Sequence, residues 1–306
     1  METAQQVRDL INKLDQSVWE LMAMSIALRE DEGADPGLRG SALGVLTELG
    51  VYVEEDGGVV PSRGLADLIV EAQGGAPVAS QAAASVLQCA ALLSGPGSWT
   101  SQDDSALLAQ GQASSQMAAP FKFFMVPALE GLADLFEGKP AMLDVGVGVA
   151  AMAVAFCRAF PNLRVVGLDV FPRALSLAKG VVADAGMTDR IELRHQDVAT
   201  LEDVDTFAVV WLPAPFVPRA ALEAAIPRMA AALVPGGWFL IGHSKFRDDG
   251  RENALNRLKT TAFGGTPLGH EEAVELLGRA GLESLFTLPT PEGAPGLTVG
   301  RRPKDS

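Results

Sequence analysis

The run Ala141-Met142-Leu143-Asp144-Val145-Gly146-Val147-Gly148-Val149-Ala150-Ala151 constrains this chain more than any other stretch of its 306 residues. Its first five residues read as a buried strand, and the glycines that follow carry the backbone into a helix over 152–160. Glycine is needed where the chain must turn tightly and approach a ligand more closely than a Cβ permits. From Ala141 onward, short apolar runs alternate with helical stretches, the pattern of a doubly wound parallel sheet. The next strand is read at 162–168, with Asp169 at its carboxyl end. A third at 191–195 runs into Gln196-Asp197, and a fourth precedes the loop at 211–216. Leu233-Val234-Pro235-Gly236-Gly237 then turns into a fifth at 238–242.

An acid at the end of the second strand can accept hydrogen bonds from two ribose hydroxyls, so Asp169 points to an adenosine-containing ligand. The local motif leaves the cofactor open. Gly146, Gly148 and Ala151 also satisfy G-x-G-x-x-G/A, with Asp169 about 20 residues on, as a dinucleotide site requires. Two placements and one resemblance favour S-adenosylmethionine. Asp144, two residues before the first glycine, can help hold the charged methionyl end. Asp197 is placed where an adenine amino group can be read. The Pro235-Gly236-Gly237 turn resembles the one that leads into the fifth strand of class I methyltransferases. Each carboxylate taken singly also suits a helix cap or loop start.

Ahead of this region, helical spacing of apolar residues over 7–28 predicts an amphipathic helix. A short helix over 40–50, strands at 51–55 and 59–61 around a Gly57-Gly58 turn, and a helix opening at Ser62 follow, in the order of a winged-helix module. Several helices broken at Ser94-Gly95-Pro96-Gly97 and near Ala119-Pro120 fill 77–140. The domain reading is 1–95 winged-helix-like, 96–138 a helical linker, and 139–306 a Rossmann-like catalytic domain, an α/β fold behind a mainly helical one. With 24 Lys and Arg against 38 Asp and Glu the formal net charge is −14, which repels phosphate backbones and anionic membranes. No apolar stretch approaches the roughly 20 residues needed to cross a bilayer, and residues 1–10 lack the basic, then apolar, texture of an export signal. Neither nucleic acid nor membrane is expected as a partner, and the expected compartment is the cytoplasm. Cys89 and Cys157 sit in apolar helical patterns that suit small hydrophobes rather than a disulfide, and no metal-ligand spacing is found.

Residues 143–151, Gly167-Leu168-Asp169, His195-Gln196-Asp197 and Pro235-Gly236-Gly237 resemble the successive motifs of class I S-adenosylmethionine-dependent methyltransferases, over about residues 139–306. The preceding region is similar to the dimerisation domain of bacterial and plant small-molecule O-methyltransferases. The resemblance implies that Gly146 and Gly148 line the methionine part, Asp169 binds ribose, Asp197 approaches adenine, and the 211–216 loop faces the transferred methyl. Val170, Gln196, Val198 and Trp211 complete the expected cofactor contacts, S-adenosylhomocysteine is the expected product, and a homodimer is implied. Ala150 departs from the family pattern, standing where its last glycine is usual.

Methyl transfer from a sulfonium is an in-line displacement, helped by a base when the acceptor must lose a proton. Of three histidines, His195 lies beside the adenine-side motif, His243 at the carboxyl end of the fifth strand, and His270 at a helix start, where capping is the alternative use. His243 and His270 are the candidate catalytic residues. Plant-type O-methyltransferases carry a His-Asp pair that Trp211-Leu212-Pro213-Ala214-Pro215-Phe216 lacks, which argues against phenol deprotonation. Met117, Phe121, Phe124 and Phe216 are candidates to cradle a small aromatic acceptor, with core packing as the alternative use. The expected activity is methylation at O, N or C of a secondary metabolite. The alternatives are a winged-helix ligand-responsive regulator and an NAD(P)-dependent oxidoreductase.

Overall fold

The computed structural model describes residues 4–28, 35–71, 75–94, 103–246, 250–290 and 294–304. The chain divides into two compact units, residues 1–94 with 105–116, and residues 95–104 with 117–306. The Ser94-Gly95-Pro96-Gly97 break lies mostly outside the described residues.

The first unit holds α1 (Ala4–Ala27), α2 (Pro36–Glu48), the hairpin β1 (Tyr52–Glu55) and β2 (Gly58–Pro61), α3 (Arg63–Glu71), α4 (Gly75–Ser94) and all but the first residue of α5 (Asp104–Ser114). α2 starts earlier than the sequence spacing suggests, because Asp35 caps it by accepting from the Leu38 N–H at 2.9 Å and Pro36 presets the first turn. The hairpin turn is Asp56-Gly57 rather than Gly57-Gly58. Both residues take positive φ, 50° and 79°, as the tight turn that matches strand twist demands, and Glu55 pairs with Gly58 across it. A core of Ala23, Ala27, Leu28, Ala42, Leu46, Tyr52, Leu65 and Ala79 closes this unit.

The helical lead-in to the second unit does not break at Pro120. It passes through a 3₁₀ turn (Ser115–Met117), α6 (Ala118–Pro120), a π-helical turn (Phe121–Met125) and α7 (Val126–Ala128) before α8 (Leu132–Glu137). A shift of hydrogen-bond spacing accommodates the proline, which has no N–H to donate. There follow β3 (Ala141–Val145), α9 (Ala151–Ala159), β4 (Arg164–Asp169), α10 (Pro172–Asp184), β5 (Ile191–His195), β6 (Phe207–Pro213), α11 (Arg219–Ala232), β7 (Leu233–His243), α12 (Gly250–Ala262), α13 (His270–Arg279), β8 (Glu283–Leu288) and β9 (Gly296–Arg301). The sheet order is β5-β4-β3-β6-β7-β9-β8. β5 to β7 run parallel and β9 pairs antiparallel with β7 and β8. One face packs Met142, Val165, Val209 and Leu240 against α9, α10 and the lead-in helices, and the other packs Leu143, Val210 and Ile241 against α11 and α13. Both faces are covered, so the strands read as apolar runs instead of alternating. The chain reverses direction across the sheet between β3 and β6, and the carboxyl ends flanking that point are where open α/β sheets bind ligands.

Candidate functional site

The turn after β3 is held by its neighbour strand. The Leu168 carbonyl accepts from the N–H of Gly146 at 2.8 Å and of Val147 at 2.9 Å. Gly146 and Gly148 take φ of 70° and 56°, and Ala150, buried at the start of α9, takes 62°. A left-handed alanine costs roughly 1–2 kcal/mol, so the departure noted at Ala150 is absorbed as local strain and the turn keeps its path. Gly167 on β4 is needed for another reason. A Cβ there would lie 2.6 Å from Val147 Cγ2, so the turn could not close down on β4.

Asp169 fastens this turn. One carboxylate oxygen accepts from the Gly148 N–H at 2.8 Å and the other from the Phe171 N–H at 2.8 Å. Burial raises its carboxyl above the ordinary aspartate range, opposed by backbone N–H groups of Phe171, Gly148 and Val170 and by the charge of His195. Each oxygen keeps a lone pair for a ligand donor, and the neighbouring Val170 is 60% exposed.

Asp144 lies on the adjacent strand, in register with Gly167 on one side and Trp211 on the other. It is 2% exposed, and its Oδ2 has no hydrogen-bond partner among the described residues. Burial first, and the Asp169 charge second, push its carboxyl up to about 8. An unsatisfied buried oxygen is costly to leave unmade, and here it lies beside the glycine turn.

The β5 end brings further candidates alongside. His195 pairs in register with Asp169, and the Gln196 N–H donates to the Asp169 carbonyl at 3.1 Å. Asp197 is exposed and caps a 3₁₀ turn (Val198–Thr200), accepting from the Ala199 N–H at 2.9 Å. Val198 is buried in the core behind it. His195 Nε2 lies 3.3 Å from the Val170 carbonyl.

On the other flank, Trp211 packs against Gly242, where a Cβ would lie 3.0 Å from the indole. Phe216 stacks on Phe263 at 4.7 Å and 20°. Residues 263–268 are stitched to the loop after β6, since Thr266 donates from its N–H to the Ala214 carbonyl at 3.1 Å and from its hydroxyl to the Val217 carbonyl at 2.9 Å. Sequence reasoning missed Phe263, Gly265 and Thr266. The Gly264-Gly265 pair was the one local signal that the chain approaches another backbone there.

Two sequence expectations require correction. Phe121 is 1% exposed and wedged among Phe136, Phe156 and Phe160 at 4.9–5.9 Å, so it is a core residue that no acceptor can reach. Phe124 is exposed and Met117 half-buried. His243 is 2% exposed with both ring nitrogens engaged, Nδ1 at 2.9 Å from the Ser244 carbonyl and Nε2 at 2.9 Å from Thr298 Oγ1. It has no free nitrogen to offer an acceptor. His270 does not cap α13, whose N-cap Gly269 makes no side-chain bond. Its Nδ1 bonds Thr298 at 3.1 Å and also meets Thr287.

Known proteins were compared with this geometry. Residues 142–237 match the family described as methyltransferase domain. An O-methyltransferase family protein from Burkholderia thailandensis superposes with a TM-score of 0.64 at 18% identity, covering 100% of both chains. The second unit has the class I methyltransferase fold. Human N-acetylserotonin methyltransferase in complex with SAM is similar at a TM-score of 0.62 and 16% identity, covering 99% of this chain and 100% of that one. In sequence, the release factor glutamine methyltransferase of Rhodopirellula baltica is 31% identical over 104 residues, 34% of this chain and 35% of that protein. The chain thus spans about a third of that curated relative. No helix among the described residues is long and apolar enough to cross a membrane.

Proposed function

We propose that this protein is a cytoplasmic S-adenosylmethionine-dependent methyltransferase acting on a small aromatic acceptor of secondary metabolism, and that it works as a homodimer. The observation that carries the cofactor reading is the buried, unpartnered Oδ2 of Asp144 beside the glycine turn. A ligand bearing cationic ammonium and sulfonium groups supplies both a donor and a charge to satisfy it. Asp144 would take the charged methionyl end, the Gly146–Gly148 backbone its close approach, Asp169 the ribose hydroxyls, and Val170, Gln196, Asp197 and Val198 the adenine side. When bound, the cofactor supplies an electrophilic methyl carbon.

The rest of the chemistry belongs to positioning. The segment Trp211-Leu212-Pro213-Ala214-Pro215-Phe216 contains no acid or base, and the hydrogen bonds from Thr266 fix its far end. A rigid loop that aligns an acceptor in a dry site supplies a large part of the rate in a displacement of this kind. Trp211 and Phe216, the latter backed by Phe263, are the aromatic surfaces for the acceptor, with Phe124 and Met117 on the lead-in helices as further contacts. His243 and His270 are assigned to structure.

For the dimer, the exposed face of α1 carries Val7, Ile11, Leu14, Val18 and Leu21, the 4-3 spacing of a helix-pairing seam. Antiparallel pairing of two copies about Leu14 would bury this seam against itself. The first unit, with its helix–hairpin–helix order, is read as a winged-helix-like dimerisation unit.

Calorimetric titration with S-adenosylhomocysteine, NAD and NADP tests the cofactor reading. Binding of the first alone supports it, and binding of a nicotinamide nucleotide alone overturns it.

A further inference from the structure

Two carboxylates occupy the ends of adjacent strands, and they are furnished differently. Asp169 receives backbone N–H groups from Gly148 and Phe171 at 2.8 Å each. Among the described residues Asp144 has no donor to Oδ2, and its register neighbours, Gly167 on β4 and Trp211 on β6, do not titrate. Asp169 is the charged group acting on it, and the charge acting on Asp169 in turn is that of His195. When two acids lie close and only one has donors to hold its negative charge, the other keeps the proton.

We propose that Asp144 is an uncharged carboxylic acid in the ligand-free protein and ionises as a cationic centre of the cofactor docks against it, releasing one proton to solvent for each ligand bound. The proposal rests on the cofactor reading above and adds to it a proton balance: the O–H bond of Asp144 breaks, the proton goes to buffer, and the carboxylate left behind pairs with the ligand cation. Burial pushes this carboxyl up to about 8, so the coupling covers the neutral range. Below that pH, affinity for the cation rises about tenfold per pH unit, because each unit makes deprotonation tenfold easier.

The test titrates the full chain with S-adenosylmethionine and with S-adenosylhomocysteine at about pH 6.5, where a ligand α-ammonium stays protonated, in phosphate and in Tris. The buffer dependence of the heat counts protons. One proton released with both ligands identifies the ammonium as the partner, and release with S-adenosylmethionine alone identifies the sulfonium; either result supports the proposal. Asp144→Asn, which copies the shape of the neutral acid, should bind more weakly and release none. Infrared difference spectra of the ligand-free protein give an independent reading: a carboxylic-acid band present in the native chain, absent from Asp144→Asn and bleached by ligand. Binding without proton release, or no such band, overturns the coupling while leaving the cofactor reading in place. Failure of both ligands to bind overturns the two together.

Discussion

Asp169 Oδ2 accepts the backbone N–H of Gly148 at 2.8 Å, and this bond ties the end of β4 to the glycine turn after β3. Because the second carboxylate oxygen holds the Phe171 N–H, one side chain shapes both loops that flank the proposed adenosine site. Asp169→Ala removes two charge-assisted bonds, each worth about 1.5–3 kcal/mol. The expected result is a loss of S-adenosylhomocysteine affinity of at least about tenfold, together with a lower melting temperature. Asp169→Asn keeps one acceptor oxygen and should fall between. Native affinity in Asp169→Ala, measured by calorimetry, would remove Asp169 from the site.

Asp144 makes a separate prediction about stability. Its folded carboxyl lies at about 8 against 3.8 when unperturbed. The native state therefore holds a proton that the unfolded chain has lost. The stability this contributes is complete below about pH 4 and drains away as pH rises through about 8, by at most 1.36 kcal/mol per unit. Asp144→Asn has no such drain. Thermal melts of the two ligand-free proteins should diverge in favour of the variant from about pH 5 and level off above about pH 9. Parallel curves would contradict the burial argument.

The sheet and the glycine turn at its carboxyl end were readable in the residues because parallel strands buried on both faces leave unbroken apolar runs, and because Gly146, Gly148 and Asp169 serve a local turn. What escaped reading depended on long-range pairing. Thr298 meets His243 only because β9 inserts antiparallel beside β7, 55 residues later in the chain. Gly296 is a glycine because a Cβ there would lie 2.3 Å from the His243 ring. Phe121 looked like a pocket residue because helical spacing cannot say which side of a helix meets solvent, and the π-helical turn rotates that face. The Asp56-Gly57 turn was displaced by one residue because two consecutive glycines offer two registers.

Gly265 is where the loop after β6 meets the segment behind it. A Cβ at this position would lie 1.9 Å from the Pro215 carbonyl oxygen, and backbone cannot yield that much without moving the loop. Gly265→Ala should separate Phe263 from Phe216 and cut kcat/KM for the acceptor about 100-fold, while S-adenosylhomocysteine affinity stays near native. An equal loss of cofactor binding would show that the stitch supports the whole sheet end rather than the acceptor loop.

The seam on α1 predicts an oligomeric change. Leu14→Glu places like charges face to face at the centre of the proposed antiparallel pair, which destabilises it. Sedimentation should show a dimer for the native chain and a monomer for the variant, with the far-ultraviolet spectrum retained. A native chain that sediments as a monomer at micromolar concentration would refute the pairing.

His243, Thr298 and His270 form a directional chain whose protonation can be deduced. The Ser244 carbonyl can only accept, so His243 carries its proton on Nδ1, and Nε2 accepts the Thr298 hydroxyl. Thr298 then accepts from His270 Nδ1. Burial lowers the His243 imidazole below its usual range, the Ser244 carbonyl opposes this, and the charges of His270 and Lys245 lower it further. A neutral native imidazole contributes stability that is present above its unfolded value of about 6.5 and is lost as pH falls through the lowered folded value. Thr298→Val strips Nε2 of its donor and should cost about 1–3 kcal/mol in denaturant melts. Because His243 has no nitrogen free for an acceptor, His243→Gln should also lose stability yet leave the pH profile of kcat unchanged between about pH 6 and 8, the range in which an ordinary histidine base titrates. Disappearance of an inflection from that profile would return His243 to the reaction as its base.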